Sequence, residues 1–231
     1  MTLRHWLGWM AALFLLASCG SVGTGTPPRT ITVSGTGTIE KAPDVVNLSV
    51  QINSRFSSPT QALADNNQRT QAVLGALNDL GVDPADIYTS YFTVTPQYQY
   101  DQNGNPTGVV DYWVDNSLAV RLRQVGKLGD LLQQVISSGA TGVSGISYDF
   151  ADPDALTQQA KVLAVQDAHR KAVMLAEASG LSLGAPRMID SGGNIPVTYG
   201  GIGRGGGGGG VPVSTGTLGV TLQATVVFDV K

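Results

Sequence analysis

The chain has 231 residues, with 14 Lys and Arg against 17 Asp and Glu, a formal charge of −3 and 42% hydrophobic content. That mildly acidic balance lacks the basic footprint of a nucleic-acid binder. One cysteine excludes an intrachain disulfide, and two histidines beside it fall short of the ligand set of an ordinary zinc site.

At the N-terminus Arg4 supplies a positive start and Leu7 to Ala17 an apolar run of 11 residues, ending in the lipobox Leu16-Ala17-Ser18-Cys19. Charge, apolar run and small residues in that order make a secretory signal. The run is shorter than the roughly 20 residues that span a bilayer. Residues 1–18 therefore read as a lipoprotein signal peptide, with cleavage before Cys19 and acylation of its thiol. Cys19 is the candidate lipidation site, and a bacterial membrane, the outer membrane foremost, is the expected partner. The alternative is an ordinary cleavable signal that leaves a stray cysteine. Residues 19–30 form a tether, and the Gly/Pro-rich Gly20–Arg29 reaches at most about 35 Å.

Residues 31–231 form the folded domain. Ile31, Val33 and Ile39 share one parity, as do Val46, Leu48, Val50 and Ile52, which predicts two half-buried strands separated by the turn Lys41-Ala42-Pro43-Asp44. Ser58 as N-cap and Pro59 at the first position open a helix, with Leu63, Ala64, Val73, Leu74 and Leu77 on its apolar face and Gly81 at its end. Phe92, Val94, Tyr98 and Tyr100 alternate, and so do Tyr112, Val114, Leu118, Val120 and Leu122. The turn-forming sextet 101–106 joins them into a hairpin. A second helix is predicted over Val125–Ser138 and closed by Gly139, followed by a strand through Ile146, Tyr148 and Phe150. A third, long helix starts at Asp152-Pro153 and stops at Gly180. Its inward stripe is Leu156, Ala160, Leu163, Ala164, Ala168, Leu175 and Ala176, and so many alanines imply close approach to a neighbour. A short strand near Arg187–Ile189 precedes a glycine-rich loop at 200–210, and Leu218 to Phe228 form a last alternating strand. Clean alternation with three helices predicts an α+β fold in which mixed or antiparallel sheets pack against the helices. The helix–glycine–strand unit that recurs after Leu80, Ser138 and Ser179 hints at duplication.

Sites of chemistry are scarce. Gly201-Ile202-Gly203-Arg204-Gly205-Gly206 spells a dinucleotide fingerprint, but more glycines and a strand follow it where a helix is required, so it reads as a mobile loop. Asp101, Asn103 and Asn105 resemble the start of a calcium loop, yet Pro106 replaces the glycine and no glutamate closes it, leaving a hairpin turn. Asp149, Asp152 and Asp154 cluster, with Asp152 explained as an N-cap and Asp154 as a first-turn charge. A hydrolase using Asp149 and Asp154 would need the two carboxylates to flank a bond in a cleft. His169, beside Arg170 and Lys171, reads as a solvated face. No catalytic, cofactor-binding or metal-ligating residue emerges, and no cofactor is expected. Tyr98, Tyr100, Tyr112 and Trp113, with Tyr91, gather on the hairpin as the candidate interface. Tyr112 and Trp113 are adjacent on a strand and so face opposite sides.

Ile31-Thr32-Val33-Ser34-Gly35-Thr36-Gly37 followed by Ala42-Pro43-Asp44 resembles the opening of the SIMPL-domain family, a domain of unknown function that includes periplasmic immunogenic and stress-defence proteins. Asp86-Ile87-Tyr88-Thr89 with Pro96-Gln97-Tyr98-Gln99-Tyr100 is similar to a second signature. A third runs from Gly142-Val143-Ser144-Gly145-Ile146 through Asp152-Pro153-Asp154-Ala155-Leu156 to Lys171-Ala172 and Leu175-Ala176-Glu177. The similarity covers residues 31–190 and returns at the last strand. It implies an α+β fold, export to the periplasm or cell surface and a tendency to form oligomers, and it brings no agreed catalytic residues. The lipobox is not universal in the family, and the polyglycine stretch falls where relatives vary.

The expected function is that of a non-enzymatic, lipid-anchored cell-envelope protein that self-assembles or binds an envelope partner and supports stress tolerance. A periplasmic module for binding or sensing a small ligand or peptide is the alternative.

Overall fold

The computed structural model describes residues 28–191, 197–200 and 216–231. The signal, Cys19, most of the tether and the glycine run from Gly201 lie outside the described residues.

In chain order the elements are β1 (Thr30–Lys41), β2 (Val45–Phe56), α1 (Pro59–Asp79), β3 (Ile87–Tyr100), β4 (Pro106–Leu122), α2 (Leu128–Ser137), β5 (Gly142–Asp149), α3 (Pro153–Ala178), β6 (Leu183–Asp190), β7 (Val197–Gly200) and β8 (Thr217–Val230). They build the expected α+β fold as two open antiparallel sheets. One has the order β3-β4-β2-β5; in the other β8 lies between β1 and β6, and β7 also pairs with β8. Sequence reading had not anticipated β7, and it placed the second helix three residues early, because Val125–Lys127 is a 3-10 turn leading into α2.

Period-two alternation sets which face of each strand is covered. On β2 and β4 the alternate residues Val46, Leu48, Val50, Ile52, Leu118, Val120 and Leu122 join Val73 and Leu77 of α1 and Leu128, Leu131 and Val135 of α2 in one core. On the other sheet Val33, Val226 and Phe228 pack on Ala168 and Ala172, while Leu218, Val220 and Leu222 pack on Leu156, Ala160 and Phe150. Tyr148 touches both cores and joins the two halves.

All three helices end alike, as the recurring glycines foretold. Gly81, Gly139 and Gly180 have positive φ, and the residue after each donates its N–H back to Leu77, Val135 and Ala176 respectively, which is a Schellman cap.

Two helix faces differ from expectation. In α1 the buried residues are Ala62, Asn66, Val73, Ala76 and Leu77, while Ala64 and Leu74 are exposed. Asn66 has taken a core position because its side chain is hydrogen-bonded there, and this turns the helix relative to its purely apolar face. In α3 the buried row is Leu156, Thr157, Ala160, Ala164, Ala168, Ala172 and Ala176, and Leu163 and Leu175 are exposed. The alanines recur every fourth residue and lie against Gly35 and Gly37 of β1, so helix and strand meet almost backbone to backbone. A leucine at Ala160, Ala164 or Ala168 would not fit.

The strand through Ile146, Tyr148 and Phe150 also departs from one parity. A bulge at Gly145 (φ 64°) shifts the register opposite Asn47–Ser49, leaving Ile146 exposed while Phe150, just past the strand, is buried.

Candidate interface on the aromatic hairpin

β3 and β4 form the long hairpin read from the alternating aromatics, closed by a turn built on one carboxylate. Asp101 Oδ1 accepts the backbone N–H groups of Asn103 (2.8 Å) and Asn105 (2.9 Å), Oδ2 accepts from the Asn105 amide, and Gly104 takes positive φ. These donors, Asn105 first, hold the Asp101 carboxyl below its ordinary value. Asp101, the one carboxylate of the triplet that resembles a calcium loop, thus spends both its oxygens on the turn.

The register arranges the hairpin in rows. Phe56, Tyr112 and Pro96 lie side by side, then Ser54, Val114 and Val94, then Ile52, Asn116 and Phe92, all on the face toward the helices. Arg55, Trp113 and Thr95 form the first row of the opposite face. Tyr112 and Trp113 therefore do face opposite ways. Tyr112 is partly covered on the helix side, whereas Trp113 remains 40% exposed. The Arg55 guanidinium lies 5.5 Å from the Trp113 ring centre and donates to Asp111 Oδ2 at 2.7 Å, which fixes the ring on the open face.

Tyr98 and Tyr100 sit farther out, beside Val109 and Pro106, and both are exposed. The four residues thus share the outer part of one sheet but not a single face. Alternation alone predicts that Phe92 and Val94 are covered, yet they are exposed, 48% in the case of Phe92. The reason lies in the packing: α1 rests on β2 and β4 and leaves the β3 side of that face uncovered. Tyr88 and Tyr91 extend the exposed aromatics along β3.

Behind the hairpin lies a buried polar network that sequence reading missed. Asn66 Nδ2 donates to the Ile52 carbonyl (2.7 Å), and Asn116 Nδ2 donates to Asn66 Oδ1 (3.1 Å) and Thr70 Oγ1 (3.0 Å). Ser54 donates to Asp65 Oδ2 at 2.6 Å, and Arg69 pairs with the same oxygen at 2.8 Å. The one signal for it was a gap: Asn116 interrupts the apolar series 112, 114, 118, 120, 122 at a core position.

The acidic cluster at 149–154 has local tasks. Asp152 Oδ1 caps α3 through the Ala155 N–H (2.9 Å), Asp154 stands in the first turn, and Asp149 Oδ1 accepts from the Phe150 N–H (2.8 Å). His169 is exposed, with its ring edge-on to Phe228 at 5.8 Å. Asp86 is buried and accepts two hydrogen bonds from Arg123 (2.6 and 2.9 Å), which hold its carboxyl below the usual range. Two concave spaces lie away from the aromatics: about 430 Å³ beside Leu80, Asp130 and Gln134, and about 220 Å³ beside Val82, Asp86, Arg121 and Arg123. Among the described residues no helix is long and apolar enough to cross a membrane, and no group of three or more His, Cys, Asp or Glu could hold a metal ion.

Two antiparallel sheets, each helix-backed on one face and joined at Tyr148, with an aromatic hairpin extending past its helices, define an α+β domain of the kind the N-terminal motifs resemble. The chain belongs to the SIMPL family, described as a protein of unknown function (DUF541), which matches residues 31–228. It is 28% identical over 218 residues to the 26 kDa periplasmic immunogenic protein of Brucella melitensis, covering 89% of this chain and 86% of that one. It is 26% identical over 177 residues to the uncharacterized protein YggE of Escherichia coli K12, 76% of this chain and 71% of the relative. A human relative, interleukin-1 receptor-associated kinase 1-binding protein 1, is 24% identical over 168 residues, 71% of this chain and 60% of the relative.

Proposed function

We propose that this protein is a non-enzymatic lipoprotein of the bacterial envelope, anchored through Cys19 to the outer membrane and facing the periplasm, which self-assembles or holds an envelope partner in support of stress tolerance. The observation that carries this reading is the β3–β4 hairpin, whose aromatic residues extend beyond the helices of their own domain. Large exposed aromatics clustered on one element are the usual anchors of protein interfaces. The lipobox supports the anchor, and the periplasmic relative supports the compartment. The experiment is crosslinking in intact cells followed by mass spectrometry of the captured species, with the mass of the purified protein measured by light scattering. Copies of the chain or a recurrent envelope protein linked through 88–113 are expected. A strictly monomeric protein that captures nothing overturns the proposal.

A further inference from the structure

β3 is the outer strand of its sheet, paired on one side with β4 and on the other with nothing among the described residues. A bare strand edge presents backbone donors and acceptors to any other strand, and proteins blunt such edges with charge, bulges or cover. The outer strands β1, β5 and β6 are treated in that way. On β1, the Thr36 N–H donates to Asp167 Oδ2 (3.0 Å) and the Ser34 carbonyl accepts from Lys171 Nζ (2.9 Å), so α3 occupies that edge. β5 is bent by its Gly145 bulge, and β6 shifts register and carries Arg187 and Asp190. β3 has no charged side chain in its 14 residues. Between the register shifts at Thr89/Tyr91 and Gln97/Tyr98 it pairs residue for residue with β4.

We infer that β3 pairs antiparallel with β3 of a second copy of this chain, about a twofold axis within Tyr91–Thr95, so that two four-stranded sheets join edge to edge. The inference rests on the assembly reading above and names its surface and partner. Three features select a second copy. A strand running antiparallel to itself meets the same surface under a twofold axis, so one sequence satisfies both sides. The absence of charge on β3 removes the like-charge repulsion that self-pairing brings. The exposed aromatics also contribute area. Tyr91 (56% exposed) and Phe92 (48%) lie in the paired stretch, bringing roughly 200 Å² of exposed surface at about 150–250 Å² per aromatic side chain, and Tyr88, Tyr98 and Tyr100 flank it. Pro96, which has no N–H to donate, and the shift at Thr89/Tyr91 bound the paired stretch at its two ends.

The test places a single cysteine at each of positions 91 to 95 in the full-length, lipidated chain, oxidises intact cells and measures the disulfide-linked dimer, with the unaltered chain as control. Each step away from a twofold axis separates the two copies by about 7 Å, beyond disulfide reach. Dimer yield should therefore peak at one position and fall sharply on both sides. Thr93→Lys, which sets like charges near the axis, should lower the assembly mass while circular dichroism stays unchanged. Three outcomes overturn the inference. Assembly that persists in Thr93→Lys without any β3 crosslink leaves self-assembly standing but moves its surface elsewhere. Crosslinks from β3 to a different protein leave the envelope-partner reading standing with another occupant. A monomer removes both readings.

Discussion

Gly35 and Ala164 stand so close that a Cβ added to Gly35 would lie 2.1 Å from the Ala164 carbonyl oxygen. The same holds between Gly37 and the Ala160 carbonyl, also at 2.1 Å. The obstacle is helix backbone, which cannot swing aside as a long side chain can. Gly35→Ala and Gly37→Ala should each force α3 off β1 and destabilise the protein by about 3 kcal/mol, the upper end of overpacking costs. Gly75→Ala is the control: it lies inside α1 with open space around it, and should stabilise by about 0.5–1 kcal/mol. Urea unfolding of the three variants checks both signs.

Asn66→Ala strips the Ile52 carbonyl and the Asn116 amide of a buried partner. Leaving such groups unpaired should cost about 2–3 kcal/mol, read as a Tm lowered by roughly 5–10 °C. Thermal unfolding decides it, and an unchanged Tm would show that the network contributes nothing net.

Asp86 gives the protein a pH dependence with a defined sign. Arg123 holds its folded-state pKa below the unfolded value, so the unfolded chain takes up the proton first as pH falls. Its contribution is complete above about pH 4 and is lost as pH drops through the folded value. Asp86→Asn should lower Tm at pH 7, and the gap from the parent should close on acidification. A gap independent of pH would assign the effect to packing.

Cys19→Ser should release the protein from membranes or leave it unprocessed. Each buried acyl methylene contributes about 0.8 kcal/mol, and stable anchoring takes two chains or more. Fractionation with mass determination of the processed chain reads the result directly.

Tyr112→Ala and Trp113→Ala should separate fold from assembly. Tyr112 lies on the helix-facing side in the row of Phe56 and Pro96, so its loss should lower Tm. Trp113 lies on the open face beneath Arg55, and its loss should chiefly change the mass of the assembly or its capture of a partner. Light scattering beside thermal unfolding distinguishes them.

Where period and punctuation act locally, the fold was legible from residues alone. Val46 to Ile52 and Leu218 to Phe228 alternate because one face is buried, and Gly81, Gly139 and Gly180 close helices because they accept positive φ. The failures come from long-range choices. Leu163 and Leu175 look like core residues until Gly35 and Gly37 admit only alanines opposite them. Asn66 and Asn116 look like surface residues until the Asn116 amide, on β4, donates to Asn66 on α1. Ile146 loses its parity to a bulge that Gly145 permits but does not announce. In the candidate site, opposite faces for Tyr112 and Trp113 followed from adjacency. The exposure of Phe92 and Val94 did not, because it depends on how far α1 reaches.

β8 comes last among the described strands, yet it holds the interior place in its sheet, with Thr30 of β1 opposite Asp229 and Leu183 of β6 opposite Val230. Among the described residues β1 has no other strand neighbour, so its pairing waits for β8 and closes a loop running from Thr30 to Asp229. Such a fold pays its loop-closure entropy late and assembles slowly. The sheet can form only once β8 has been made, so removing β8 (Thr217–Val230) should leave β1 without its strand partner and the alanine face of α3 without most of its sheet.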